Sequence, residues 1–274
     1  MYHIELIGPP GCGKTTISGR LTSARGRYRC LSEKAALRLA LRRADHGWAG
    51  RAARLLPASF GTAKAGALFN LSPSKAAARA AFLSRHHESL QAFLESRSFA
   101  AMGIEERTVV LSWFLELAAR YGMIIEHCGD AAVILDEGFL LRSVSLFVSP
   151  ASAPASESEI ARYLEDIPLP DLLIVVESDP ATCMARLQRR GPGRSNTRLR
   201  MKSADEKTAA AFLKDCRDHV ERVVAWVRDR RAGSVAVVRN GPADSIADAV
   251  ASAAEVVARR LDGSSGRACR SAER

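Results

Sequence analysis

Apolar residues recur along this chain in two rhythms. Five short runs are nearly continuous: roughly residues 3–7, 28–31, 132–135, 172–177 and 235–239. Each is bounded by turn or helix signals, the mark of strands buried on both faces. Between them the apolar positions fall into helical spacing. This alternation predicts an α/β fold, a mostly parallel five-stranded sheet with helices on both faces. Ligands bind such sheets beyond the C-terminal strand ends, so the residues just after each strand are the first candidates for a site.

The interval between the second and third strands is far longer than a simple crossover requires. It reads as helical almost throughout, over 34–44, 73–99 and 105–121. In the last stretch Val109, Val110, Trp113, Phe114, Leu117 and Tyr121 stand near helical spacing, and Gly122 is expected to interrupt them. We read about 34–127 as a helical, substrate-side insert within one domain covering 1–262. Two stretches read as mobile: 149–159, rich in Ser, Ala and Pro, and a disordered tail over 263–274. No apolar run approaches the ~20 residues of a membrane span. The first residues read as a strand and not as a signal peptide.

The chain has 274 residues, of which 47% are hydrophobic and 26% charged, the composition of a soluble globular protein. Its six cysteines show no Cys-x-x-Cys spacing, which argues against a zinc site or a disulfide framework and fits a reducing cytoplasm. The formal net charge is +10. The basic residues are mostly arginines interleaved with alanine and lack aromatic partners for base stacking, so nucleic acid is not expected as a partner. A small anionic substrate or a solvated surface explains the charge. Oligomeric state is not readable from the chain.

Residues 8–15 read Gly-Pro-Pro-Gly-Cys-Gly-Lys-Thr, the complete G-x-x-x-x-G-K-[ST] phosphate-binding loop, set between a predicted strand and a predicted helix. This arrangement aims consecutive backbone N–H groups at one polyphosphate, and the helix dipole favours its charge. Gly8, Gly11 and Gly13 permit conformations and close approaches that a Cβ blocks. Cys12 and Thr16 would contribute backbone N–H groups. Lys14 would reach the β- and γ-phosphates of ATP, and the Thr15 hydroxyl would ligate Mg²⁺.

Further candidates follow the other strands. Asp136 ends the third strand, where a carboxylate would hold Mg²⁺, and Glu137 follows it. Glu137 would either orient water, as in an ATPase, or accept a hydrogen bond or proton from a substrate hydroxyl. Glu33 follows the second strand, either as base or hydroxyl anchor, or as a first-turn acid behind the N-cap Ser32. Arg186, Arg189, Arg190, Arg194, Arg198 and Arg200 bracket a Gly-Pro-Gly turn, a pattern that suits either an arginine lid over a transferred phosphoryl group or a basic surface hairpin. Ser178-Asp179-Pro180 reads as a helix start. Asn240-Gly241 follow the last strand, as a cradle for a base or simply a turn. His86-His87-Glu88 reads as helix surface, since neighbours on a helix diverge.

The loop at 8–15, the strand ending in Asp136, and the run from Pro170-Asp171 through Asp179-Pro180 to Arg186 and Arg190 together resemble the P-loop nucleoside and nucleotide kinases, thymidylate kinase and its deoxynucleoside kinase relatives above all. The resemblance spans about 3–260, and only the loop is highly specific. It implies a P-loop NTPase-type three-layer fold, ATP and Mg²⁺ as cofactors, an arginine lid (Arg190, Arg194) and a base-side loop at Asn240-Gly241. Two departures bear on the acceptor: Asp136-Glu137 stands where thymidylate-type members carry Asp-Arg, and Ser32-Glu33-Lys34 replaces the Glu-Pro pattern. The expected function is an ATP- and Mg²⁺-dependent phosphotransferase acting on a small acceptor, a nucleoside or nucleotide first. The rivals are a P-loop ATPase with a regulatory or macromolecule-coupled role, and a nucleotide-binding interaction module.

Overall fold

The computed structural model describes residues 1–23, 30–44, 51–52, 55, 62–129, 131–149, 155–189, 206–241 and 244–271. In chain order the elements begin with β1 (Tyr2–Ile7), α1 (Lys14–Ser23), β2 (Cys30–Ser32) and α2 (Glu33–Ala44). The insert continues through α3 (Thr62–Leu71), α4 (Ser74–Arg85), α5 (His87–Leu94), α6 (Arg97–Ala101) and α7 (Ile104–His127). Then come β3 (Ala132–Leu135), α8 (Phe139–Phe147), α9 (Glu157–Asp166), β4 (Leu172–Glu177), α10 (Pro180–Arg189), α11 (Glu206–Arg230), β5 (Val235–Arg239) and α12 (Ile246–Ser271).

All five strands pair in parallel, in the order β2-β3-β1-β4-β5. β1 is therefore central. Its register sets Glu5 beside Leu135 and Ile7 beside Val175, so Gly8, Asp136 and Ser178 emerge along one edge of the sheet. Successive β1 side chains face opposite layers. Ile4 and Leu6 pack with Ile17 and Leu21 of α1 and with Ala249, Ala253 and Val257 of α12. Ile7 joins the larger core on the other face, with residues of α2, α7, α8 and α11. The expected three-layer P-loop architecture is present.

Strand positions agree with the sequence pattern, β2 being shifted to 30–32 while Tyr28 and Arg29 lie outside the described residues. The helices differ more. Residues 73–99 are not one helix, because the chain breaks at His86 and again at Ser96, the N-cap of α6. The first break has a tertiary cause. His86 Nδ1 meets the Asp166 carbonyl, and the Asp166 carboxylate accepts the Ser89 N–H at 2.7 Å, placing a negative charge at the N-terminus of α5. Gly122 does not interrupt α7. It lies inside the helix, where an added Cβ would sit 2.7 Å from the Ala78 carbonyl oxygen, so glycine lets α4 and α7 touch.

Part of the stretch read as mobile is a helix start. Ser156 caps α9 in a full capping box with Glu159, whose carboxylate takes the Ser156 N–H at 2.7 Å. Residues 150–154 lie outside the described residues. The last helix continues to Ser271, where a loose tail from 263 was expected. By length and composition α7 is long and apolar enough to cross a membrane, which the sequence reading did not pick out. Here its apolar positions Val110, Phe114, Leu117 and Ile124 are buried in the protein core. The described cysteines form no disulfide.

Candidate functional site: the phosphate loop and its acidic flank

Residues 8–13 turn tightly between β1 and α1. Gly11 and Gly13 have φ of 86° and 102°, in the left-handed region that favours glycine. A Cβ at Gly13 would lie 2.3 Å from Asn240 Nδ2, and one at Gly11 would lie 2.5 Å from the Cys183 carbonyl oxygen. The loop is thus packed from behind by α10 and by the turn after β5. Gly13 O accepts the N–H groups of Thr16 and Ile17 at 3.0 and 3.1 Å, opening α1. Thr15 and Thr16 are exposed at that helix start. Lys14 Nζ donates to Gly8 O at 2.7 Å and to Pro9 O at 3.0 Å, which holds its ammonium over the loop.

Asn240 and Arg186 meet the loop differently from a base cradle. Asn240 is only 1% exposed. Its Nδ2 donates to Cys12 O at 2.6 Å, and its backbone N–H donates to Glu177 O at 2.8 Å. Arg186 donates to Cys12 O at 3.4 Å and to Asn240 O at 3.2 Å. Together they anchor the Cys12 carbonyl, while the Cys12 N–H itself donates to Pro9 O at 3.3 Å within the loop. Gly241 donates its N–H to Asp244 at 2.8 Å. Asp179 caps α10 by accepting the Thr182 N–H at 2.8 Å, the helix start expected there. Arg189 ends α10. Arg190, Arg194, Arg198 and Arg200 lie outside the described residues.

On the β2–β3 side the acidic candidates converge. Asp136 accepts a hydrogen bond from the buried Ser18 hydroxyl of α1. Burial pushes its carboxyl above the usual carboxylate range, against that hydrogen bond and the charge of Lys34, while Glu137 adds to the rise. Glu33 is buried and also raised, first by desolvation and then by Glu137 and Asp136, with Arg120 opposing. Arg120 Nη1 stands 3.0 Å from Glu33 Oε1, and its Nε stands 3.1 Å from Glu116. Glu137 is exposed and pairs with Arg142, whose guanidinium lies 5.1 Å from the Trp113 ring centroid. Glu33 is therefore more than a first-turn acid of α2, although Ser32 Oγ does accept the Ala35 N–H at 3.3 Å.

Sequence reasoning missed Ser18, Arg120 and Arg142. Arg120 had one local signal: Glu116 and Arg120 form an i,i+4 charged pair within the apolar middle of α7. Ser18 and Arg142 had none. No group of three or more His, Cys, Asp or Glu side chains fit to hold a metal occurs among the described residues, and His86-His87-Glu88 forms no such centre. That does not conflict with magnesium at Thr15 and Asp136, because Mg²⁺ takes one or two protein ligands and fills its octahedron with phosphate oxygens and water. A cavity of about 500 Å³ opens beside Pro9 on the β4–β5 side, lined by Ser178, Val220, Val224, Arg239 and Gly241.

Sheet order, central β1 and glycine-rich loop define a three-layer α/β protein of the P-loop type. No protein-family model matches the chain, and neither does any curated protein. Among solved structures the chain is similar to deoxyadenosine kinase from M. mycoides with dCMP and dCDP bound, at 13% identity and a TM-score of 0.44 over 95% of this chain and 99% of that one. The same kinase with dCTP and with dATP gives 14% identity and the same score, over 95% and 96% of this chain and 99% and 100% of that one. At that score the likeness adds nothing to what the sheet and loop already show.

Proposed function

We propose that this protein is a phosphotransferase that passes the γ-phosphoryl group of ATP, with Mg²⁺, to the hydroxyl of a small acceptor, a nucleoside or nucleotide first among them. One observation carries the reading. Buried Glu33, paired with Arg120 of the insert, stands on the acidic flank of the phosphate loop beside Asp136 and Glu137. A hydroxyl acceptor needs a carboxylate to orient it and to receive its proton, and Glu33, paired with an arginine of the helical insert, stands on the side from which such an acceptor would enter. Burial pushes the Glu33 carboxyl above the ordinary carboxylate value, and the Arg120 guanidinium opposes that rise and aims the group.

The remaining roles follow from position. Lys14 neutralises the β- and γ-phosphates, and the N–H groups of the loop orient them. Thr15 and Asp136 would hold the metal, with Ser18 orienting the Asp136 carboxylate. Magnesium, held there, would supply charge neutralisation at the polyphosphate. Arg186 and Asn240 set the loop from behind, and Arg190 and Arg194 would close over the transferring group. An ATPase reading would require Glu137 to aim water, and its pairing with Arg142 opposes that. A reducing cytoplasm is the setting we expect. The test is ADP formation from ATP across a panel of nucleosides, nucleotides and sugars, with the phosphorylated product isolated. Equal phosphate release with and without every acceptor would overturn the proposal in favour of an ATPase.

A further inference from the structure

The central strand carries a carboxylate where a core residue belongs. Glu5 of β1 is fully buried on the face that packs against the insert. Nearby Tyr121 and Tyr163 are aromatic core residues whose hydroxyls are pushed up by burial first and by the Glu5 charge second. Such a group is costly to bury without strong partners. Its partners are the first turn of α8: Glu5 Oε1 accepts the Phe139 N–H at 3.2 Å and Oε2 accepts the Leu140 N–H at 3.0 Å. His3 Nε2 stands 3.1 Å from Oε1. Gly138 makes the seat, since an added Cβ there would fall 2.1 Å from Glu5 Cδ. The carboxylate thus acts as the N-terminal anion of α8 from a distant strand.

Where this clamp sits gives it a consequence. Glu5 is on the strand that runs straight into Gly8, and Phe139 follows Asp136 by three residues. We infer that Glu5 is a positioning residue for the site: it locks the 136–140 turn to the phosphate-loop strand, so that Asp136 is held at a fixed distance from the loop. Hydrogen bonding between β1 and β3 reaches only to Leu135, opposite Glu5. Beyond it, the clamp and the Ser18–Asp136 hydrogen bond carry the geometry.

This inference rests on the metal role proposed for Asp136, and the experiment separates the two. ATP affinity is measured with Mg²⁺ and with EDTA, for the wild-type protein and for Glu5→Gln, which keeps size but removes the charge and replaces one of the two acceptor oxygens by an NH₂ donor. A displaced Asp136 should weaken binding with Mg²⁺ by about tenfold, the lower end of what losing an outer hydrogen-bond partner costs a metal site. Binding in EDTA should stay within about twofold, because Lys14 and the loop are untouched, whereas a merely structural lesion lowers the melting temperature and moves both affinities together. Wild-type binding indifferent to Mg²⁺ would sink the metal role and this inference with it. Mg²⁺-dependent wild-type binding with an unchanged ratio in Glu5→Gln would sink this inference alone. Should Glu5→Gln fail to fold, amide exchange of the wild-type protein decides. The Phe139 and Leu140 amides should be protected more by ATP with Mg²⁺ than by ATP in EDTA, and equal protection overturns the clamp.

Discussion

Replacing Arg120 by methionine keeps the aliphatic stem but strands the Glu33 carboxylate. The two side chains are 39% and 11% exposed. Removing one partner of a fully buried ion pair costs about 3–5 kcal/mol. Arg120 is more than one-third exposed, so water screens part of the interaction and the expected loss falls to roughly 1–2 kcal/mol near neutral pH. The loss should depend on pH in a definite sense. Burial already lifts Glu33 above its ordinary value of 4.5, and Arg120 opposes that rise. Without Arg120 the folded protein holds a proton on Glu33 over a wider range than the unfolded chain does. The folded state then gains relative stability as pH falls through the folded pKa toward 4.5, and loses it as pH rises. The deficit of Arg120→Met relative to wild type should therefore shrink on acidification. Urea denaturation from pH 5 to pH 8, for wild type, Arg120→Met, Glu33→Gln and the double variant, measures it. Glu33→Gln should relieve most of the loss, with a coupling of about 1 kcal/mol. A coupling near zero, together with a deficit that does not change with pH, would refute the pairing argument and weaken the case for Glu33 as base.

Other perturbations read other parts of the molecule. Lys14→Ala should weaken ATP binding and lower turnover by about a hundredfold or more while leaving the fold intact, because Lys14 bonds only loop atoms here; near-normal turnover in the folded variant would undo the loop assignment. Gly122→Ala sets two effects against each other: about 1 kcal/mol of helix propensity gained, against overpacking onto the Ala78 carbonyl that costs about 1–3 kcal/mol. A net loss in chemical denaturation is expected, and a gain would mean α4 and α7 separate freely. His219 is buried against Ser143, and burial, with Arg222 adding to it, pushes its imidazole down to about 3 from 6.5. The unfolded chain takes up that proton first, so stability should fall by about 1.4 kcal/mol per pH unit below pH 6.5, levelling near pH 3. His219→Asn should remove that slope, and an unchanged acid profile would contradict it.

Local sequence determined those features whose causes are local. The phosphate loop was legible because its glycines, lysine and threonine are contiguous and its conformation needs no distant partner to be recognised. Strands β3 and β4 were legible because continuous apolar runs leave no other way to hide both faces, whereas β5 is an edge strand with Val237 exposed and was legible only from its β-branched run. Asp136 and Glu33 were singled out by the expectation that the ends of parallel strands carry chemistry, and Asp179 by its helix-start pattern with Pro180. Ser156 and Glu159 also carried a local signal, the capping box, but the Ser, Ala and Pro content around them hid it.

Tertiary structure decided who meets whom. Arg120 reaches Glu33 across 87 positions, and Asn240 reaches the Cys12 carbonyl across 228. Neither pairing has a periodicity to reveal it. Strand order brings β5 behind the loop, and the path of the insert brings α7 over Glu33. The break at His86 likewise depends on Asp166, a residue of α9 that no local pattern ties to it. Glu5 is the plainest case. In sequence it is a charge interrupting an apolar strand, and only the folding of α8 onto β1 supplies the two N–H groups that make its burial tolerable. Hydrophobic periodicity reports which face of an element is buried, whereas the partner of a buried polar group depends on which elements the fold brings together.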